Sequence, residues 1–248
     1  MIELHELSVS YGTKPVLSRV SVSFETGKLT SILGVNGCGK STLLKAMLGV
    51  LDASGTISID GTPLETMTRS EIARKAAYLP QGKTTPDMTV EQMVLHGRFP
   101  HLSYPRRYTP HDREVARRAM EQMGLTADAH RPLHTLSGGM RQNAYIAMAL
   151  AQSTDYILLD EPTTYLDIAH QLELMRTLRT LADDGKGIVA VMHDLPMALT
   201  FSDQIVLLDG GSVVACDTPE RIHSRGLIEE LFHVTIEASP QNHYHYRY

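Results

Sequence analysis

Apolar and polar residues alternate over residues 2–10 and again over 16–24, the period of half-buried strands. Between these runs lies YGTKPV, with Tyr11 at a strand end ahead of Gly12 and Pro15. Residues 29–33 (LTSIL) form a short apolar run of strand character, and in 41–48 (STLLKAML) the leucines share one face of a helix. Residues 55–61 alternate as another strand, and 69–77 read as a short helix leading to Tyr78, Leu79, Pro80 and Gln81. The texture then changes. Residues 89–97, 111–123 and 140–151 read as helices, the second heavily charged on one side, with a loop rich in proline, arginine and aromatics at 98–110. Strand and helix alternate once more over 156–159 (YILL), 168–181, 188–192 (IVAVM) and 205–208, before short helices and a polar tail from Pro219. Strands alternating with helices predict a mostly parallel sheet covered on both faces. The pattern is one α/β core, residues 1–88 and 153–248, interrupted by a helical insertion over 89–152.

Composition narrows this picture. At 248 residues the chain can bury a substantial core. Its 23 Lys+Arg against 28 Asp+Glu argue against a broad basic face, so no nucleic-acid partner is expected. The two cysteines, Cys38 and Cys216, make neither a metal spacing nor a disulfide framework. His243 and His245 lie in the tail, where a frayed terminus is a better expectation than a metal site. MIELHEL carries acids where a signal peptide carries bases, and no uncharged apolar stretch reaches about 18 residues. A soluble protein made in the cytoplasm is expected.

Residues 34–42 read GVNGCGKST and fit the phosphate-binding pattern G-x-x-x-x-G-K-[ST], with a strand before it and a helix after it. Gly34, Gly37 and Gly39 let the backbone curl its N–H groups, with those of Asn36, Cys38 and Thr42, around phosphate oxygens at a helix N-terminus. Lys40 would reach the β- and γ-phosphates and Ser41 would ligate Mg²⁺. A plain glycine turn packing a helix on a sheet is the alternative, and flanks of this quality weigh heavily against it. A nucleoside triphosphate is the expected ligand.

Asp160 and Glu161 follow the strand YILL, where α/β sheets place their ligands. Asp160 would support Mg²⁺ and Glu161 would polarise a water as general base; a turn acid before Pro162 is the plainer alternative. In LSGGMRQ (136–142), Ser137 can cap a helix while Gly138 and Gly139 leave N–H groups open to an oxyanion, although alone an ordinary cap explains it better. His193 at a strand end, Gln81 and Tyr11 are each weak signals taken singly.

Their order is what makes them specific. Across essentially its whole length the chain resembles the ATP-binding cassette (ABC) family: Tyr11 falls at the adenine-stacking aromatic and GVNGCGKST at the phosphate loop. Gln81 falls at the glutamine loop, LSGGMRQ at the signature, YILLDEP at the second nucleotide motif, Leu166-Asp167 at the D-loop and His193 at the switch histidine. Met140 and Val35 depart from the commonest residues of the signature and phosphate loop, and neither removes a charged group or a phosphate-contacting N–H. The resemblance implies an α/β phosphate-loop NTPase core with an N-terminal antiparallel β subdomain and the inserted helical subdomain. It implies a head-to-tail homodimer enclosing two ATP molecules, each between one subunit's phosphate loop and the Ser137, Gly138 and Gly139 segment of the other. Glu161 would be the base, with Gln81 and His193 positioning it and Gln81 also sensing Mg²⁺. The helical insertion would dock integral-membrane permease subunits, with the stretch 81–108, including Phe99, Leu102 and Tyr104, as the contact.

Residues 159–173 (LDEPTTYLDIAHQLE), with GCGKSTLLK and HGRFPH, look like the ATPase of iron-siderophore, haem and cobalamin importers. Such a subunit would lie peripherally on the cytoplasmic face of the membrane, served indirectly by an extracytoplasmic substrate-binding protein. A siderophore-type ligand is expected, with haem, cobalamin or another metal chelate as the alternative. A soluble cassette acting on DNA or ribosomes, a non-hydrolysing scaffold and a small-molecule kinase are the rivals. The first lacks its usual coiled-coil insertion or paired cassette here, the second sits badly with Glu161 and His193, and the third leaves LSGGMRQ without purpose.

Overall fold

A computed structural model describes residues 1–82, 85–239 and 243–247; residues 83–84 of the stretch 81–108, and residues 240–242 and 248 of the tail, lie outside it. Strands β1 (Ile2–Tyr11) and β2 (Lys14–Phe24) form an antiparallel pair, and β4 (Ser54–Ile59) and β5 (Thr62–Pro63) extend it in the order β2-β1-β4-β5. The alternation read along 2–10 and 16–24 is that of a sheet buried on one side: Ile2, Leu4, Leu7, Leu17, Val20 and Phe24 all point inward.

The second sheet holds β3 (Leu29–Leu33), β6 (Ala76–Leu79), β7 (Tyr156–Asp160), β8 (Gly187–Val191), β9 (Gln204–Asp209) and β10 (Ser212–Asp217), in the order β10-β9-β3-β8-β7-β6. All neighbours are parallel except β10, which runs back against β9. Strands β3, β7 and β8 are buried at every residue, as their continuous apolar runs require. The two polar residues inside β3 are satisfied in place: the Ser31 hydroxyl lies 2.7 Å from that of Ser202, and Thr30 donates to Gln204 at 3.1 Å.

One face of this sheet packs with α1 (Lys40–Met47), Ile72 and the inner face of the antiparallel sheet, while the other receives the later helices. Between β4 and β7 the chain makes α2 (Arg69–Lys75), α3 (Val90–His96), α4 (Pro110–Gln122) and α5 (Gly138–Ala151), and α3, α4 and α5 pack on one another. Helices α2, α3 and α4 each begin with a complete capping box: Thr68 with Glu71, Thr89 with Gln92, and Thr109 with Asp112. After β7 follow α6 (Ile168–Asp183), α7 (Leu195–Phe201), α8 (Pro219–Ser224) and α9 (Leu227–Phe232). Among the described residues no helix is long and apolar enough to cross a membrane.

Arg98, read as part of a loop, is 5% exposed: its guanidinium meets Asp112 at 3.0 Å and donates to the Ala151 carbonyl at 2.8 Å and to Ser153 Oγ at 3.0 Å. His101 Nε2 adds a contact of 2.8 Å to the Gln152 carbonyl, so HGRFPH fastens α3 to the C-terminal end of α5. Phe99 and Tyr104 remain exposed, and the guanidinium of Arg106 covers the Phe99 ring at 4.4 Å. One expectation is corrected: among its described residues the tail is not frayed. Strands β11 (Ile236–Ala238) and β12 (Tyr244–Tyr246) pair as a hairpin, and Tyr244 is buried edge-on to His223. Alternation in YHY over three residues is too short to be read as a strand against so polar a background.

Candidate nucleotide site

The loop between β3 and α1 is shaped by three glycines. A Cβ on Gly34 would meet the Leu208 carbonyl oxygen at 2.2 Å and Cys38 Sγ at 2.6 Å, so the loop root must pass this close to β9. Gly37 and Gly39 adopt φ of 80° and 106°, which side-chain-bearing residues avoid. Gly39 is also the N-cap of α1 and supplies no side-chain cap, which leaves the first N–H groups of the helix directed into the loop. Cys38 is buried, and burial raises its thiol above the ordinary value, so it fills space rather than reacting.

Lys40 is 6% exposed, and its ammonium donates to the Gly34 carbonyl at 2.6 Å and the Val35 carbonyl at 3.0 Å. The next hydroxyl, of Ser41, donates to Asp160 Oδ1 at 2.9 Å across the loop from α1 to the end of β7. Asp160 is itself buried, and its Oδ2 accepts from the Tyr78 hydroxyl on β6 at 3.2 Å. Burial, and then the Asp160 charge, push the Tyr78 phenol well above its ordinary value, so it stays a donor.

Glu161 leaves β7 in a left-handed turn, at φ 52°, which swings its carboxylate out of the strand line and into the cleft. His193 Nε2 lies 2.6 Å from its Oε1. Its Oε2 accepts from the Gln81 side-chain amide and, at 3.2 Å, from the Thr164 hydroxyl. The ends of β6, β7 and β8 therefore converge on one carboxylate. Asn36, Lys40, Ser41, Gln81, Glu161 and His193 line a single cleft of about 650 Å³.

Not every expected residue lies in that cleft. Tyr11 is half exposed at the end of β1, and Val16 of β2 forms the lining instead. Ser137 caps α5 by accepting from the Met140 N–H at 3.3 Å, and Gly138 is exposed at the same helix start. Gly138 reaches the carboxylates only through a second cavity of about 160 Å³, shared with Gln81, Asp160 and Glu161. Gly139 is held against α6, where a Cβ would meet the His170 ring at 2.3 Å. Beside the exposed Gly138 stands one more exposed group, Tyr165 at 92%. Tyr78 and Thr164 escaped the sequence reading, since a tyrosine in an edge strand and a threonine in a turn carry no spacing of their own.

A parallel sheet with a glycine loop and lysine at β3, and carboxylates at the end of β7, defines a phosphate-loop nucleotide-binding protein. Residues 17–164 match the family model described as ABC transporter. The chain is 38% identical to the iron(3+)-hydroxamate import ATP-binding protein FhuC of Bacillus subtilis, over 95% of this chain and 89% of that protein. It is 39% identical to the hemin import ATP-binding protein HmuV of Rhodococcus jostii, over 94% and 80% respectively. The fold superposes on a metal-chelate type ABC transporter in an inward-facing conformation with a TM-score of 0.84 and 27% identity, over 100% of this chain and 97% of that one. The chain belongs to the ABC transporter family and is one of its ATP-binding, ATP-hydrolysing proteins.

Proposed function

We propose that this chain is the ATPase subunit of an importer for an iron-siderophore-type ligand, driving separate membrane permease subunits from the cytoplasmic face of the membrane. The observation that carries the catalytic part is the Glu161 carboxylate, held between His193, Gln81 and Thr164 beside the loop of Lys40 and Ser41. The ligand class rests on the relatives named for hydroxamate and haem import.

Lys40 exchanges its two loop carbonyls for β- and γ-phosphate oxygens, while the N–H groups from Asn36 to Thr42 bind the rest of the phosphate chain. Ser41 Oγ and the Asp160 carboxylate, 2.9 Å apart, are hard oxygen donors that suit Mg²⁺ and would hold it; the ion supplies charge neutralisation on the phosphates. Glu161 accepts a proton from the water as its oxygen attacks the γ-phosphorus, and the bond to the β–γ bridging oxygen breaks to release ADP. His193 and Gln81 hold Glu161, and Tyr11 stacks on the adenine. The exposed start of α5, with Gly138 flanked by Tyr165, supports a homodimer in which this segment meets the partner's γ-phosphate. The exposure of Phe99 and Tyr104 supports a permease contact on the helical part, residues 89–152, which interrupts a core of residues 1–88 and 153–248. An extracytoplasmic binding protein would deliver the ligand.

The relative named for hemin import favours haem as the second reading. The two separate in vesicles carrying the chain with its co-purified permease. ATP-dependent uptake of a ferric hydroxamate, with none of haem, is the expected result; haem uptake alone would overturn the ligand assignment, and uptake independent of ATP would overturn the function.

A further inference from the structure

Strand β6 is the edge of the parallel sheet, and its C-terminal end with the two residues after it touches both carboxylates at the end of β7. The pairing is parallel and in register, Tyr78 with Leu158 and Leu79 with Leu159. Side chains two apart along a strand share a face, so Asp160 lies on the face of Leu158 and Tyr156. That face is also where Tyr78 packs, under α1 and therefore under Ser41. Three residues beyond Tyr78, Gln81 holds Glu161. One short edge strand thus carries a contact to each of two adjacent acids with different tasks.

We propose that Tyr78 is a positioning residue for the metal-side carboxylate: its hydroxyl, donated to Asp160 Oδ2, fixes the side-chain rotation that turns Oδ1 toward Ser41. A carboxylate at a strand end has a broad terminal torsion, with no preference of its own for which oxygen faces the ion. Two donors on different elements, Ser41 on α1 and Tyr78 on β6, remove that freedom. Outer partners of a metal-holding side chain act in this way, by orienting the ligand. The placement also means that a shift of the β6 end, where the chain enters the stretch proposed for permease contact, would disturb Asp160 and Glu161 together. This inference rests on the proposed Mg²⁺ role of Ser41 and Asp160.

The test is Tyr78→Phe, which removes only the hydroxyl and keeps the ring in its packing. Mn²⁺, which takes the same oxygen ligands, is titrated into the protein loaded with a non-hydrolysable ATP analogue, and free metal is read by electron paramagnetic resonance. Tyr78→Phe is expected to weaken Mn²⁺ binding about tenfold, the lower end of what loss of an outer partner costs. Its metal-free thermal midpoint is expected to match the wild type. In an Asp160→Asn background the same substitution is expected to have no further effect, because Tyr78 acts through Asp160. If Ser41→Ala weakens Mn²⁺ binding and Tyr78→Phe does not, the positioning role is wrong while the metal assignment stands. If neither Ser41→Ala nor Asp160→Asn weakens it, the metal assignment is wrong and this inference goes with it.

Discussion

Glu161 has both oxygens engaged, by His193 on one and by Gln81 and Thr164 on the other, so its orientation is set before any water arrives. Replacing it with glutamine keeps shape and hydrogen-bonding capacity and deletes only the basic oxygen. Glu161→Gln is expected to slow phosphate release by about 10²–10⁴-fold while leaving ATP bound. Lys40→Ala acts at the opposite step: it removes the cation that the loop carbonyls hold ready, and nucleotide binding itself is expected to fail in a fluorescent-ATP titration. Tyr11→Ala should weaken ATP about tenfold, since a base stacked on an aromatic ring is worth about 1–3 kcal/mol. Because Val16 rather than Tyr11 lines the cleft, an unchanged affinity in that variant would transfer the adenine to β2.

At the level of elements, the Arg98–Asp112 pair joins α3, α4 and α5 and is nearly dry on both sides. Removing one partner strands a buried charge, so Arg98→Ala is expected to lower unfolding stability by about 3–5 kcal/mol in a urea titration. Burial opposes the Asp112 charge, but the Thr109 hydroxyl and backbone N–H and the Arg98 guanidinium outweigh it, and the carboxyl falls from its ordinary 3.8 to about 2. The folded chain therefore keeps this acid ionised where the unfolded chain protonates it. The resulting stabilisation is complete above about 4 and is lost as the pH falls toward about 2, so urea midpoints of wild type and Asp112→Asn should converge over that interval. Elements with a continuous apolar run or a long period were legible in the sequence: β3 over 29–33 matches residue for residue, and α6 differs only at its C-terminal end. Strand β10 was not, because SVVACD mixes small, apolar and polar residues and owes its place to antiparallel pairing with β9. Helix α7 was hidden by its seven-residue length and an internal proline at its second position. The candidate site was legible as motifs; what spacing cannot convey is contact between elements, such as Tyr78 on Asp160 or Arg98 on Ala151.

For the whole molecule, the decisive feature is a site whose parts do not all face one cleft. The phosphate loop, Glu161 and His193 line one cleft and Asp160 joins it through Ser41, while Ser137 and Gly138 present their helix start outward beside exposed Tyr165. An exposed aromatic next to an open helix N-terminus fits a surface completed by a second copy of the chain with nucleotide between. On that account ATP closes the dimer and hydrolysis opens it, and so a chain that binds but cannot hydrolyse stays closed. The most direct test is the mass of Glu161→Gln in solution, measured by light scattering after size exclusion with and without ATP. The account predicts the mass of two chains with ATP and of one without, with Lys40→Ala remaining at one in both; a Glu161→Gln protein that stays monomeric with ATP bound, or that releases phosphate at the wild-type rate, would contradict it.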